Sequence, residues 1–364
     1  MESTLDAANG NYFDGDRFNS YDGNSRQAGP KSPHQVPTAH PSLNHHYDVN
    51  QIITRAQRTL IQNTGIMAFH CVGDTGNDSS HNGGPDKRLD VAEMMEAQCT
   101  AGQGQAATPC FCYHLGDVIY PGSDEALYEK EFYLPYCNYG NAIVAIPGNH
   151  DSYGPGGLDV FAENFMQPKL SIVKGQRPAM NLPWFYWVLD TPVATIIGLS
   201  AISNSISSDQ QDWFNKEMKN ADSGKALIVA VHYPPYCFDG SNNNNIRTCI
   251  EDAYTYAGKV PDLLLSGHSH NFQHIEAPKT GKMPGYTMVV NGAGGVGVSG
   301  IRPGSGGNGG TLIYGNDTEY GALTVIVDSK NKKIIGNYYC AVSQSDKVAT
   351  NLRHTFTVDY AGGG

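Results

Sequence analysis

From about residue 50 onward, short apolar runs alternate with stretches of helical period, and this alternation predicts βα units. Asn50 is placed to cap a first helix whose Ile52, Ile53, Ala56 and Leu60 share one face. Gly65 stops that helix, and Ile66–Val72 follows as a buried strand. A helix over 87–100, a strand over 110–115, a helix over 124–133 and a strand over 142–146 continue the rhythm. Further strands are predicted at 184–190, 193–199, 226–231, 262–266, 286–291, 321–328, 333–340 and 352–359. Ser208 or Asp209 caps one more helix, with Trp213, Phe214 and Met218 on one side. Two sheets packed face to face, with helices outside, accommodate this order as an α/β fold. The glycine-rich stretch 292–310 is too long and too polar for regular elements and is expected as loops near a site.

The first 47 residues break the pattern. They are rich in Asn, Asp, Gly, Ser, Pro and His and poor in aliphatic side chains, so they are expected to form an extended or disordered arm. His34, His40, His45 and His46 belong to that polar tail in this reading. Residues 48–360 are then expected to form a single domain.

Composition narrows the choices only slightly. Hydrophobic residues make up 40% of the chain, enough for a large core, and no run approaches the length of a membrane helix. A formal charge of −11 argues against a nucleic-acid surface, which needs clustered Lys and Arg. It leaves a small phosphorylated substrate open, because bound cations reverse the local sign. The N-terminus shows no basic and apolar leader pattern. Among the eight cysteines there is no Cys-x-x-Cys pair, and Cys237 and Cys249, flanking a polar loop, are candidates for a disulfide. Asn77 and Asn316 fall in glycosylation sequons.

Chemistry concentrates in five motifs, each at the end of a predicted strand. They are Gly73-Asp74-Thr75-Gly76, Gly116-Asp117-Val118-Ile119-Tyr120, Gly148-Asn149-His150-Asp151, Val231-His232-Tyr233-Pro234 and Gly267-His268-Ser269-His270. Any one of them is an ordinary turn; their ordered succession is not. Together they offer Asp74, Asp117, Tyr120, Asn149, His232, His268 and His270, enough to hold two metal ions. Two nearby cations repel, so a bridging carboxylate is expected, and Asp117 in the central motif is the candidate. Asp74, Tyr120 and His270 would complete one half, rich in anionic oxygen. Asn149, His232 and His268 would complete the other with neutral donors. The first half suits a harder, trivalent ion and the second a divalent one.

These motifs resemble the calcineurin-like metallophosphoesterase superfamily, and within it the purple acid phosphatase branch. Most of the superfamily begins with Asp-x-His; here the first motif is Asp74-Thr75-Gly76, and Tyr120 in Gly-Asp-x-x-Tyr supplies the missing ligand. The resemblance runs from about residue 66 to 295. His232-Tyr233-Pro234, Gly292-Ala293-Gly294-Gly295 and Pro183-Trp184-Phe185-Tyr186 are similar to the smaller, tartrate-resistant type. It implies a four-layer α-β-β-α sandwich of two mixed sheets flanked by helices, with Fe(III) beside Fe(II), Zn(II) or Mn(II).

The implied activity is hydrolysis of phosphate monoesters by a metal-activated hydroxide. His150 is the candidate for protonating the leaving alkoxide, and Asp151 for orienting His150. A phosphodiesterase or nucleotide hydrolase using the same centre is the alternative; a non-enzymatic scaffold is disfavoured because all seven ligands are present. Polar loops at 76–88, 238–248 and 296–310 would decide between monoester and diester. The expected partner is a small phosphorylated substrate, without a nucleic-acid or membrane surface. The family implies export and the missing leader a cytosolic protein, so the compartment stays open. His70 and His114, inside strands, are expected as hydrogen-bonded core residues, His274 as a residue lining the loop beyond the site, and Trp184, Trp187 and Trp213 as packing.

Overall fold

The computed structural model describes residues 36–40, 42–76, 87–154, 156–172, 178–303, 307–344 and 347–360. The chain enters through β1 (His46–Asp48) and α1 (Arg55–Thr64), then runs through β2 (Ile66–Val72), α2 (Lys87–Ala101), β3 (Pro109–His114) and α3 (Glu125–Tyr128). It continues as β4 (Ala142–Ala145), α4 (Gly157–Phe165), the hairpin of β5 (Met166–Ile172) and β6 (Pro178–Asn181), β7 (Trp187–Asp190), β8 (Ala194–Leu199) and α5 (Ser208–Asn220). β9 (Ala226–Val231), α6 (Asn244–Ala257), β10 (Leu263–Ser266), β11 (Phe272–Glu276), β12 (Thr287–Asn291) and β13 (Thr311–Asn316) follow. β14 (Gly321–Asp328), β15 (Lys333–Gln344) and β16 (Lys347–Asp359) close the chain.

Two large mixed sheets result. One has the order β1-β7-β8-β9-β10-β12-β11-β13 and the other β16-β15-β14-β2-β3-β4. Strand periodicity shows how they stack. In β9, Ile228 and Ala230 join the core between the sheets, whereas Leu227, Val229 and Val231 join a second core. That second core contains Phe214 and Met218 of α5 and Ile246 and Ile250 of α6. Successive strand side chains point to opposite faces, so β9, buried on both, is apolar throughout. α2 packs on the far side of the other sheet, against β3, β14, β15 and β16. The layers are therefore helix, sheet, sheet, helix, the expected metallophosphatase sandwich.

Aromatic packing joins the sheets. Trp187 stacks on Tyr113 with ring centroids 5.5 Å apart and donates its indole N–H to Ala145 O at 3.2 Å. Trp184 is buried as expected, and Trp213 is half-buried against Tyr186 and His45.

Several local expectations are corrected. Thr54, not Asn50, caps α1, through a reciprocal capping box with Gln57. Asn50 sits in a preceding 3-10 turn, and Ile52 and Ile53 are buried before the helix begins. β1, α4, β5, β6, α6, β11 and β13 form where no element is predicted. Of the stretch to residue 47, residues 1–35 and 41 lie outside the described residues, His34 among them. Its end is tied down. β1 pairs in parallel with β7, buried His45 donates to Tyr186 O at 2.9 Å, and His46 bonds both Asp190 and Glu217.

Cys237 and Cys249 are both free, so the polar loop carries no disulfide between them. Asn77 lies outside the described residues. Asn316 is buried, with its side chain bonded to Glu319 and to the backbone of Thr318 and Glu319, which makes that sequon a chance match. No helix among the described residues is long and apolar enough to cross a membrane.

Candidate metal centre

β2, β3 and β4 run parallel in one sheet, and β8, β9, β10 and β12 run parallel in the other. Their C-terminal ends meet along one edge of the sandwich, where loops of α/β folds gather functional groups. The loops are stitched together by backbone bonds. Asp74 N–H donates to Gly116 O at 3.0 Å, Thr75 N–H to Asp117 O at 3.2 Å, and Gly267 N–H to His232 O at 3.0 Å.

All seven predicted ligand residues come together there, in two overlapping sets. Tyr120 Oη lies 3.0 Å from Asp74 Oδ1, 2.9 Å from Asp117 Oδ2 and 3.2 Å from His270 Nε2. On the other side, His232 Nε2 lies 3.2 Å from the same Asp117 Oδ2 and 3.1 Å from Asn149 Oδ1. His268 Nδ1 is 3.1 Å from that Asn149 oxygen. Asp117 Oδ2 is thus common to both sets.

Donor spacing is a direct test of fit. Metal–ligand bonds of about 2.0–2.2 Å put neighbouring donors roughly 3–3.5 Å apart. The contacts just given fall in that range, and one atom each from Asp117, His232 and His268 lies within 4.8 Å of the others. The residues present fit a pair of cations.

Electrostatics agrees. Burial, and then the charge of Asp117, push the Asp74 carboxyl well above the usual range. Burial alone would do the same to Asp117, but His232, His150 and His268 pull it below. Burial opposes a charge on His232 too, yet Asp117 holds its imidazole up to about 9. Burial lowers His268 to about 3, and burial lowers His270 as well. Burial and the two carboxylates push the Tyr120 phenol well up. A cation here relieves the crowded carboxylates and favours the phenolate.

Backbone strain marks the same place. Asp74, Asp117 and His268 all adopt left-handed φ, at 57°, 54° and 67°. Such a conformation costs a non-glycine residue roughly 1–3 kcal/mol and persists where the surroundings impose it. Two glycines give these turns room. A Cβ on Gly267 would sit 2.6 Å from Asp74 Oδ2, and one on Gly116 (φ 93°) would sit 2.5 Å from Gly148 N.

His150 and Asp151 occupy different positions from those expected of a coupled pair. His150 is part-exposed, tilts over Tyr120 at 4.2 Å, and donates Nδ1–H to Pro121 O at 2.8 Å. That bond leaves Nε2 free. Asp151 is fully buried, and its carboxylate accepts the backbone N–H groups of Asp117, Val118 and Gly148 at 2.8, 3.0 and 2.8 Å. It fixes the two ligand loops, not the imidazole. Burial, then Asp117, raises its carboxyl to about 7, against the pull of those N–H groups.

Two supports were not foreseen. Buried Glu131 accepts Tyr120 N–H at 2.8 Å, with buried Arg88 3.9 Å away. Asp239 Oδ2 accepts the hydroxyl of Ser269, between ligands His268 and His270, and that of Ser299 at 3.3 Å. The Asp239 contacts span 30 and 60 residues of chain, which no local pattern reveals. His114 bonds Thr75 and His70 bonds Tyr139 and Gln98, the core roles expected. His274 does not line the site: it packs on Phe356 and bonds His354. The loop after Asn291 does reach the site, with Val296 N–H on Asp74 O and Ser299 N–H on His270 O.

Fold and site define a metallophosphoesterase. The sequence model of calcineurin-like phosphoesterases matches residues 67–272, more than half of the chain, and the protein belongs to that family. Members bind metals in a dinuclear site and hydrolyse phosphoesters. No curated protein matches it in sequence. Among solved structures, a single mutant of Vps29 from Entamoeba histolytica is similar at 10% identity, with 80% of this chain and 99% of that one covered, at a TM-score of 0.35. Chaetomium thermophilum Vps29 is similar at 11% identity over 81% and 97% of the two chains, at a TM-score of 0.32.

Proposed function

We propose that the protein is a phosphomonoesterase of the purple acid phosphatase type, with Fe(III) beside Fe(II), Zn(II) or Mn(II). The observation that carries this reading is Tyr120. Its hydroxyl lies within 2.9–3.2 Å of Asp74, Asp117 and His270, where a ligand of that half would sit. A phenolate there adds negative charge to a half that already holds two carboxylates, and this donor set favours a trivalent ion.

Asp74, Tyr120 and His270 would hold one ion, Asn149, His232 and His268 the other, and Asp117 both. When bound, the ions supply positive charge against the phosphoryl oxygens and a water acidic enough to act as nucleophile. The chain's own contributions follow from its geometry. Burial of Asp74, Asp117, Asn149 and His232 keeps bulk water off the ligands, while part-exposed His150, His268 and His270 mark the open side. His150, with Nδ1–H held by Pro121, presents Nε2 to that side and delivers a proton to the leaving alkoxide. Asp151 keeps the Asp117 and Asn149 loops in register.

The small phosphorylated substrate of this reading has one ester bond. Purified protein assayed with paired aryl monoester and diester substrates tests it, a higher kcat/KM on the monoester being expected. Diester preference would transfer the proposal to a phosphodiesterase on the same centre.

A further inference from the structure

Among the described residues the part-exposed side of the centre carries two tyrosines. His150, Tyr153, Tyr233, His268 and His270 are the part-exposed members of the site. Tyr153 packs edge-on against His150 with ring centroids 5.0 Å apart. Tyr233 lies over His268 at 4.0 Å and against His232 at 5.5 Å. One ring therefore packs on the candidate acid and another on the neutral half of the centre.

Both tyrosines are held in place. Tyr153 O accepts Ser123 N–H at 2.5 Å, and Tyr153 N–H donates to His150 O at 3.2 Å. Tyr233 is fixed between His232, whose Nδ1–H donates to Leu115 O at 2.8 Å, and Pro234, whose carbonyl accepts Asn243 N–H at 2.9 Å. Rigid aromatic surface binds flat partners with little ordering cost.

We infer that Tyr153 and Tyr233 form the leaving-group subsite and favour monoesters of aromatic alcohols. The inference rests on the phosphomonoesterase reading above. If His150 protonates the leaving oxygen, the group attached to that oxygen lies beside Tyr153, the ring packed on His150, with Tyr233 over ligand His268. A phenyl or naphthyl group stacks on those rings, whereas a short polyol does not.

The test compares 1-naphthyl phosphate with glycerol phosphate on metal-replete protein. Because the two leaving groups differ intrinsically, the readout is how their kcat/KM ratio changes between variants. Tyr153→Leu and Tyr233→Leu keep apolar bulk and remove the ring, and each is expected to lower the naphthyl-to-glycerol ratio about five- to tenfold, mainly through KM. Tyr233→Phe keeps the ring and the ratio. Elemental analysis of each variant separates loss of the subsite from loss of the centre. A ratio unmoved in both Leu variants, with metal retained and wild type active, overturns the subsite alone. A metal-replete wild type that hydrolyses neither ester overturns the phosphomonoesterase reading together with it.

Discussion

The carboxylate of Asp151 accepts the backbone N–H of Asp117 at 2.8 Å, and the same oxygen accepts Gly148 N–H at 2.8 Å. One buried side chain therefore joins the loop carrying the shared ligand to the loop carrying Asn149. Asp151→Ala would leave buried N–H groups unpaired, each costing about 1–3 kcal/mol. Chemical denaturation should show a loss of several kcal/mol by that rule, with metal content falling in parallel. A fully stable, metal-replete Asp151→Ala protein would contradict this role.

Asp117 and His150 should separate cleanly. Asp117 Oδ2 belongs to both donor sets, so Asp117→Ala is expected to abolish metal binding and activity together. His150 contacts neither set through its ring nitrogens, and His150→Ala should slow turnover about 10²–10⁴-fold with metal content unchanged. Elemental analysis beside kcat decides it; equal metal loss in both variants would make His150 part of the metal scaffold.

Gly267→Ala tests how tightly the loops are drawn together. Its new methyl would lie 2.6 Å from Asp74 Oδ2, closer than atoms pack, so Asp74 or the His268 loop must shift. Overpacking of this kind costs about 1–3 kcal/mol. Weaker retention of metal against a chelator is expected, and unchanged retention would show that the loop yields freely.

His46 makes a prediction about pH. Its imidazole is raised to about 10 by hydrogen bonds to Asp190 and Glu217, opposed by partial burial. A histidine with a raised folded-state pKa contributes stability that is full below its unfolded value near 6.5 and fades as pH rises through the folded value. The Tm deficit of His46→Gln relative to wild type should therefore be largest near pH 6 and shrink towards pH 10. The pair is part-exposed, so the deficit will be modest and smaller at high salt. A deficit that grows with pH would rule out this latch.

Much of this structure was legible because burial writes itself into sequence. β2 and β9 are buried on both faces; β9 is a continuous apolar run, and β2 is one broken only by His70. Five motifs follow strands, four of them opened by a glycine, because the ligands need sharp turns at the sheet edge. Legibility failed where polar residues disguised an element. α6 begins in an Asn-rich stretch that looks like loop, yet Asn243 is its cap, accepting the N–H groups of Asn245 and Ile246. Ile246, Cys249, Ile250 and Ala253 already carried its helical period. β13 has one half-buried face and an exposed one, and β11 follows directly on the His270 motif. The contacts of Asp151 with Asp117 and of Asp239 with Ser269 join residues 34 and 30 apart, brought close only by folding.

The central claim is that Tyr120 lies on iron, and the visible absorption spectrum of protein purified without chelator tests it most directly. A broad violet-to-purple band, absent from metal-replete Tyr120→Phe, is the result this account predicts. A colourless, metal-replete wild type, or a band that survives Tyr120→Phe, would contradict it.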